Sequence, residues 1–493
     1  MGVKLVYKDL ALGADEDAVV TTSAKEPFSD ITKLPFGVET PTIATVEPNG
    51  WGLIHDYHVR GEQPFAFWST ERSGADCVFA STPTITFTFT EQYTITGITI
   101  RFAPASMDFC RKIGISWYQG TTLKANGMYN ATSPQFVINE TVEAFDRIVF
   151  TFLETNLPGK RCKVEGITMG VIRTFEGDEL KSVNVIHEVD LISENMPINV
   201  LDSALHSKDE IDYIFQKKQP VKAYNDDVLV GVYYIEKGQR AGRLDYTISC
   251  KDRVGLFDLV TQPGGLWLTD TPLTTILTSV FGDTSIFDID DAYTGATLRG
   301  YIEPETTQRE ALQQIAFALG AVVDTSGSDK VKIFPMQVGE AIAISPKKIY
   351  TGGVVNTSDT VTEVTVTAYI FSDERPGDDD ESIEYNGIKY KYYTDTKHAY
   401  NPNTVTSDPE NKKKFDKHYL CNLSNAQTIA NKIMAYYERR DKYVFKHVLE
   451  GQTPAGYYSA ELAWGSGPSG NITKMTITTT GITVSSTEML LDE

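Results

Sequence analysis

The chain has 493 residues, 45 Lys and Arg against 66 Asp and Glu, and a formal net charge of −21. At 41% hydrophobic, 23% charged and 11% aromatic, it has a soluble globular composition, long enough for roughly three or four domains of about 100–200 residues. The acidic balance argues against a surface built to grip nucleic-acid phosphates, which needs clustered Lys and Arg, but not against a channel wall to which a polyanion does not adhere.

Five cysteines, at 77, 110, 162, 250 and 421, form no CxxC pair and no Cys/His zinc spacing. They are expected to be reduced thiols of a protein assembled in a cytoplasm. The start MGVKLVYKDL lacks the apolar core of a signal peptide, and no apolar run approaches the roughly 18 residues of a membrane helix. Neither secretion by a standard signal nor membrane insertion is expected.

Residues 1–40 read as an N-terminal extension with one short strand near Val3 to Tyr7. From 41 to 175 the pattern is all-β. Ile85, Phe87 and Phe89 alternate with threonines, and further runs such as ITGITIRF, IGISWYQG and FDRIVFTF follow at turn-separated spacing. Such strands predict a β-sandwich that buries alternate faces of two sheets. Trp117 alternates with Ile113 and Ile115 and is read as core. Trp51, between two glycines, and Trp68 are candidates to stack on sugar rings, with Arg72 and Asp76 supplying hydrogen bonds.

A second all-β unit, 180–261, contains VKAYNDDVLVGVYYIEKG. Two apolar runs flank Asn225, Asp226 and Asp227, residues that tolerate the positive φ of a tight turn. In the following strand Leu244, Tyr246, Ile248 and Cys250 share one face.

The period changes over 262–345, which reads as a small α+β insert. TPLTTILTSVFG suggests Thr271 as N-cap, Pro272 at the first helical position and Gly282 as the stop. TQREALQQIAFALG carries a capping box of Thr307 and Glu310, with Leu312, Ile315, Ala316 and Leu319 as its apolar stripe. The last unit, 346–493, returns to strands. It holds an acidic turn-rich run (372–387), a polar basic run to Lys417, a helix over 424–440 that opens on a second capping box of Ser424 and Gln427, and a C-terminal hairpin.

Enzyme signatures are absent: the sequence contains no GxSxG, HExxH or GxxxxGKS/T, and no GxGxxG that opens a helix after a strand. His55 and His58 form the nearest histidine pair but lack a further ligand. The acidic runs at 287–291 and 377–381 miss the spacing of a Ca²⁺ loop. No cofactor, metal or catalytic residue is assigned.

Two stretches carry family resemblances. WSTERSGADCVFA, followed by ITGITIRF and IVFTF, resembles the galactose-binding-like jelly roll of discoidin-type modules. From about 180 onward, the hairpin unit ending in LDYTISCKDRVGLFD is followed by TTQREALQQIAFALGAVVDTSGSDKVKIFP (306–335). A late helix then leads into a final β-unit. This succession is similar to that of the baseplate hub, or tail-tip, proteins of phage tails and contractile injection systems. The resemblance implies a mainly β fold with a small α+β insert: an N-terminal jelly-roll β-sandwich followed by two hub-type β-barrels flanking an α+β domain.

It further implies a homotrimeric ring joining the tail tube to the central spike, with baseplate wedge proteins as neighbours. DNA would pass through the lumen of a phage without specific binding; a bacteriocin-like particle would have none to pass. The net charge fits an acidic lumen. Localisation would be the virion tail, assembled in the host bacterial cytoplasm. In that frame Tyr233 and Lys237 are candidates for a subunit contact. The alternative is a cell-surface carbohydrate-binding protein that uses the sandwich against a host glycan. A wall-degrading hydrolase has no supporting motif.

Overall fold

The computed structural model describes residues 2–11, 13–37, 65–103, 107–207, 215–404, 409–462, 465, 467–479 and 483–492. The chain divides into two compact units, Tyr7–Arg173 and Met1–Val6 with Thr174–Glu493. It is mostly β.

The Tyr7–Arg173 unit is a two-sheet sandwich. One sheet runs Val19–Thr22, Thr84–Ile95, Val142–Thr155, Cys110–Gln119, Thr122–Asn130; the other runs Phe67–Arg72, Arg161–Thr168, Ile98–Phe102, Gln135–Ile138. The period-two apolar residues of both sheets meet in one core, where Phe87, Phe102, Trp117, Phe150, Phe152 and Val164 are buried. Phe102 reaches Phe152 of the opposite sheet edge-on, at 6.1 Å between centroids, a preferred aromatic geometry.

The expected boundary at residue 41 is too late. Val19–Thr22 pairs in register with the Thr84–Ile95 strand, Val19 opposite Thr88 and Thr22 opposite Ile85. A four-residue β-branched run is too short to show periodicity, and only the ladder reveals it as an edge strand.

The second unit is organised around a long sheet. From Pro220–Asn225 its order is Val228–Arg240, Asp245–Lys251, Val200–His206, Leu180–Glu188, Ser469–Thr479, Thr483–Leu491, Asp441–Val448 and Val354–Thr357. The two β segments expected as separate barrels therefore share one sheet. Leu180–Glu188 and Ser469–Thr479 lie antiparallel, with Val185 opposite Ile477.

Between these segments lies an α+β body. Its helices are Leu273–Phe281, Gln308–Leu319 and Ala426–Glu438. The expected capping box of the middle helix is present: the Thr307 amide donates to Glu310 Oε2 at 2.8 Å and the Glu310 amide to Thr307 Oγ1 at 3.2 Å. Two other helix starts differ from expectation. Thr271 and Pro272 still pair with Leu298 and Thr297 in a ladder, so the helix begins at Leu273. Ser424 spends its hydroxyl on Asn422 Oδ1 at 2.5 Å, and Gln427 donates to the His398 carbonyl at 2.9 Å, so no capping box forms there.

The body is also larger than 262–345. Leu312, Ile315 and Phe317 share one core with Val364, Val366, Ala368, Ile429, Ile433 and Met434. The stripe of the late helix is thus buried in the insert's core, because its apolar residues find matching stripes there.

Candidate functional site

The long sheet has two chemically different faces, and the register shows how they arise. On the inner side one row runs Cys250, Leu201, Val185, Ile477, Ser485, His447 across six strands. All six are buried. The neighbouring outer rows run Ser249, Asp202, Asn184, Thr478, Val484, Val448 and Lys251, Val200, Ile186, Thr476, Ser486, Lys446. These twelve residues are half-buried or exposed. The alternation follows from the pleat, which sends successive side chains to opposite faces.

The outer face is not acidic. Its rows place Asp202, Glu188 and Glu488 against Lys251, Lys446 and Lys474, and Lys474 lies 3.3 Å from Glu188. Between them stand small hydroxyl, amide and β-branched side chains. The expectation that the net charge of −21 lines a channel is not met in these rows. These rows are near neutral, with neither the cation cluster that grips phosphates nor the anion excess that repels them.

The hairpin turns as its sequence suggests. Pro220–Asn225 and Val228–Arg240 are joined by Asp226 and Asp227, at φ 47° and 66°, the paired positive φ of a type I′ turn. Asn225 is buried and donates to the Leu449 carbonyl at 3.3 Å. Lys4 bridges to Asp227 at 2.9 Å.

Tyr233 and Lys237, the two candidates for a subunit contact, differ in exposure. Tyr233 is 1% exposed, stacks on His187 with ring centroids 6.0 Å apart, and hydrogen-bonds its Nε2 through the phenol oxygen. A ring sealed in the interior offers nothing to a neighbouring subunit. Lys237 is exposed. The two side chains should share a face at their even separation. A register shift between Ile235 and Lys237 against the next strand breaks that parity.

A buried polar cluster ties this sheet to the α+β body. The Thr325 hydroxyl donates to Asp252 Oδ2 at 2.7 Å and Asn199 Nδ2 donates to Thr325 Oγ1 at 3.0 Å. Asp252 also caps the short Arg253–Phe257 helix by accepting from the Gly255 amide at 3.0 Å. Asp324 accepts from the Ser326 hydroxyl and bridges to Lys332, both at 2.7 Å. Burial, then the nearby Asp324 charge, pushes the Asp252 carboxyl up to about 6. Burial pulls His187 down to about 4, against the opposing pull of Asp324. These groups come from four separated stretches, and nothing in the sequence marks them as neighbours.

In the sandwich, Trp51 lies outside the described residues, as do His55 and His58. Trp68 is buried, with Phe65 and Phe28 at 5.2 and 5.4 Å and the Lys163 ammonium 4.7 Å over its ring. Its faces are occupied by the protein itself, which leaves little of the ring for a sugar. Arg72 is exposed.

Sequence reasoning also missed a charged core beside Trp68. Lys163 and Lys160 share Asp108 at 2.7 and 3.2 Å, with all three side chains at most 3% exposed. Glu165, 4% exposed, pairs with Arg101 at 3.1 Å. Lys163 and Glu165 alternate with Cys162 and Val164 as solvent-facing residues would. They are buried because the segment ending at Gly37 crosses their strand, Leu34 accepting from the Ile167 amide at 2.9 Å. A Cβ on Gly166 would meet Gly37 Cα at 2.8 Å, so the crossing requires glycine there.

Among the described residues no group of three or more His, Cys, Asp or Glu is arranged to hold a metal ion. No helix there is long and apolar enough to cross a membrane.

Neither a family model nor a curated protein matches the chain. Among solved structures it is similar to the tail protein from Neisseria meningitidis MC58, at 13% identity over 65% of this chain and 94% of that one, with a TM-score of 0.47. It is similar to the 43 kDa tail protein of prophage MuSo2 from Shewanella oneidensis at 9% identity, covering 65% of this chain and 96% of that one, TM-score 0.44. For the prophage tail protein gp18 from Listeria monocytogenes EGD-e the values are 10%, 64%, 91% and 0.43.

Proposed function

We propose that the chain is a structural component of a phage tail or phage-tail-like contractile particle. In this reading it is a baseplate hub, three copies of which close a ring between the tail tube and the central spike. The observation that carries the reading is the long sheet. Its first and last β segments, separated by some 200 residues of sequence, pair strand to strand, and the α+β body is inserted between them. That is the order of units on which the sequence resemblance to hub proteins rests, with the two segments joined into one wall.

The chemistry of the wall supports the same reading. A sheet with one buried face and one near-neutral face of hydroxyl, amide, β-branched and balanced charged residues suits a lumen through which a polymer moves without sticking. Wedge proteins, the tube and the spike are the partners it implies, and the virion tail its location.

Sedimentation of the purified chain, with electron microscopy of the same sample, tests the proposal. Assembly to a mass of three chains and a ring-shaped particle, alone or on addition of tube and spike proteins, is the expected result. A chain that stays monomeric under both conditions, with no ring in the images, would remove the hub reading.

A further inference from the structure

One sheet of the α+β body presents a surface that the hub reading does not use. It runs Ser382–Tyr385, Ile388–Tyr400, Glu363–Phe371, Lys412–Phe415. Val364, Val366 and Ala368 point from one face into the core shared with the helix Ala426–Glu438. Their neighbours Tyr369 and Phe371 point the other way, opposite Thr394 and Tyr392.

On that outer face six rings form a connected cluster. Tyr369 lies 4.8 Å from Tyr419 and 5.7 Å from Tyr392. Phe371 lies 5.6 Å from Tyr392. Tyr301 reaches Tyr419, Phe371 and Tyr385 at 5.9, 6.0 and 6.4 Å. Tyr301 and Tyr369 are buried, and the other four are half-exposed. The arrangement is held from beneath: the Tyr301 amide donates to the Tyr419 carbonyl at 3.2 Å, and Gly300, at φ 139°, leaves no Cβ to obstruct that carbonyl.

Half-exposed tyrosines held by buried ones are pre-ordered, so a partner would meet them at low entropic cost. A satellite core would close over its rings, whereas here the core already lies on the opposite face. The rim is anionic. Residues 373–381, which connect the two strands bearing Phe371 and Tyr385, hold Asp373, Glu374, Asp378, Asp379, Asp380 and Glu381 against Arg375 alone. Burial and, after it, the charges of Glu303, Glu381 and Asp416 push the Tyr301, Tyr392, Tyr369 and Tyr419 hydroxyls upward. Lys414 already engages Asp416 at 3.2 Å, whereas Glu303 and Glu381 are exposed.

Aromatic faces ringed by carboxylates attract guanidinium and ammonium groups twice, through the ring quadrupole and through charge. The same hairpin does this internally: Lys391 lies 4.8 Å over the Tyr393 ring and 2.8 Å from Asp380. We propose that this tyrosine platform docks an arginine- or lysine-bearing segment of a second protein.

The probe is a fluorescein-labelled hexapeptide of alternating glycine and arginine, with its glycine–glutamate counterpart, followed by anisotropy against the full chain at low salt. The arginine peptide is expected to bind and the glutamate peptide not. Tyr392→Ala, and the double change Glu303→Gln with Glu381→Gln, should each weaken binding about tenfold. Asp178→Asn, an exposed carboxylate in another part of the same unit, should leave it unchanged. Equal affinity in all variants would mean general attraction to an acidic protein and would overturn the proposal. So would no binding, or displacement of the peptide by maltoheptaose, which would make the platform a sugar site. If Tyr392→Ala disturbs the sheet by near-ultraviolet circular dichroism, the double glutamine variant, which removes no ring, decides alone.

Discussion

The sandwich and the long sheet are both antiparallel β structures with period-two sequences, yet they use their second faces differently. In the sandwich, aromatic residues fill the space between two sheets, and even the charged side chains on the back of one sheet are covered and paired. In the long sheet the back carries Ser, Thr, Asn, β-branched apolar residues and balanced charges. A strand's alternation tells which residues share a face; what lies over that face decides whether a lysine there is solvated or buried.

The largest effect that would sharpen this contrast is expected in the sandwich. Asp108→Ala removes the carboxylate shared by Lys160 and Lys163 and leaves two buried ammonium groups without it. A loss of about 3–5 kcal/mol is expected. In calorimetry of the full chain, only the transition belonging to the sandwich should move. If that transition stays in place, the two lysines reach solvent and the covered-face account fails.

Next come two adjacent residues on opposite faces of the long sheet. Met475→Ala, at a buried position, should cost about 2–5 kcal/mol through the cavity it leaves. Thr476→Ala, on the outer row, should stay within about 0.5 kcal/mol. Urea unfolding of both variants measures the difference. Similar costs would show that the outer row is packed against something and is not an open wall.

The cluster behind the sheet sets a pH test. Buried Asp252 keeps its proton to about pH 6, while an unfolded Asp loses it near 3.8. Its stabilising contribution is therefore full below about pH 4 and lost as pH rises through 6. Buried His187 resists protonation down to about 4, against 6.5 when unfolded. Its contribution is full above about pH 6.5 and lost as pH falls through 4. Between pH 4 and 6 the two slopes oppose. Relative to the parent chain, Asp252→Asn should gain stability as pH rises through that window, by about 2–3 kcal/mol in all. His187→Gln should lose it. Parallel stability–pH curves for parent and variants would show that neither group titrates as its burial implies.

The smallest effect concerns the turn. Asp227→Gly keeps a positive φ available but removes the partner of Lys4. As that pair is largely exposed, the unfolding free energy should be nearly unchanged. A larger loss would show that the bridge matters more than an exposed pair should.

Much of this was legible in advance. The positive-φ turn read at Asn225–Asp227, realised at Asp226 and Asp227, the Thr307–Glu310 capping box and the Gly282 and Gly320 stops rest on contacts within a few residues, and the alternation that put Trp117 in the core also holds. The misreadings share one cause. Thr271, Pro272 and Ser424 carry local cap signals, but a ladder partner or Asn422 takes the group the cap needed. Tyr233 looked available on its strand until His187, 46 residues away, closed over it. The tyrosine platform was invisible because its rings come from the separate stretches at 301, 369–371, 385–392 and 419.

The sequence by itself determined the local alternatives: where strands alternate, where glycine or paired aspartates permit a turn, and where an apolar stripe makes a helix. Those depend on backbone sterics and on neighbours within one or two turns of chain. Only the tertiary structure decided that Leu180–Glu188 lies against Ser469–Thr479, that the late helix joins the insert's core, and that Lys163 is buried while Thr476 is not. Pairing between distant strands depends on backbone hydrogen bonds that any sequence can make. The choice among partners is settled by which faces can be covered together, a property of the whole assembled chain.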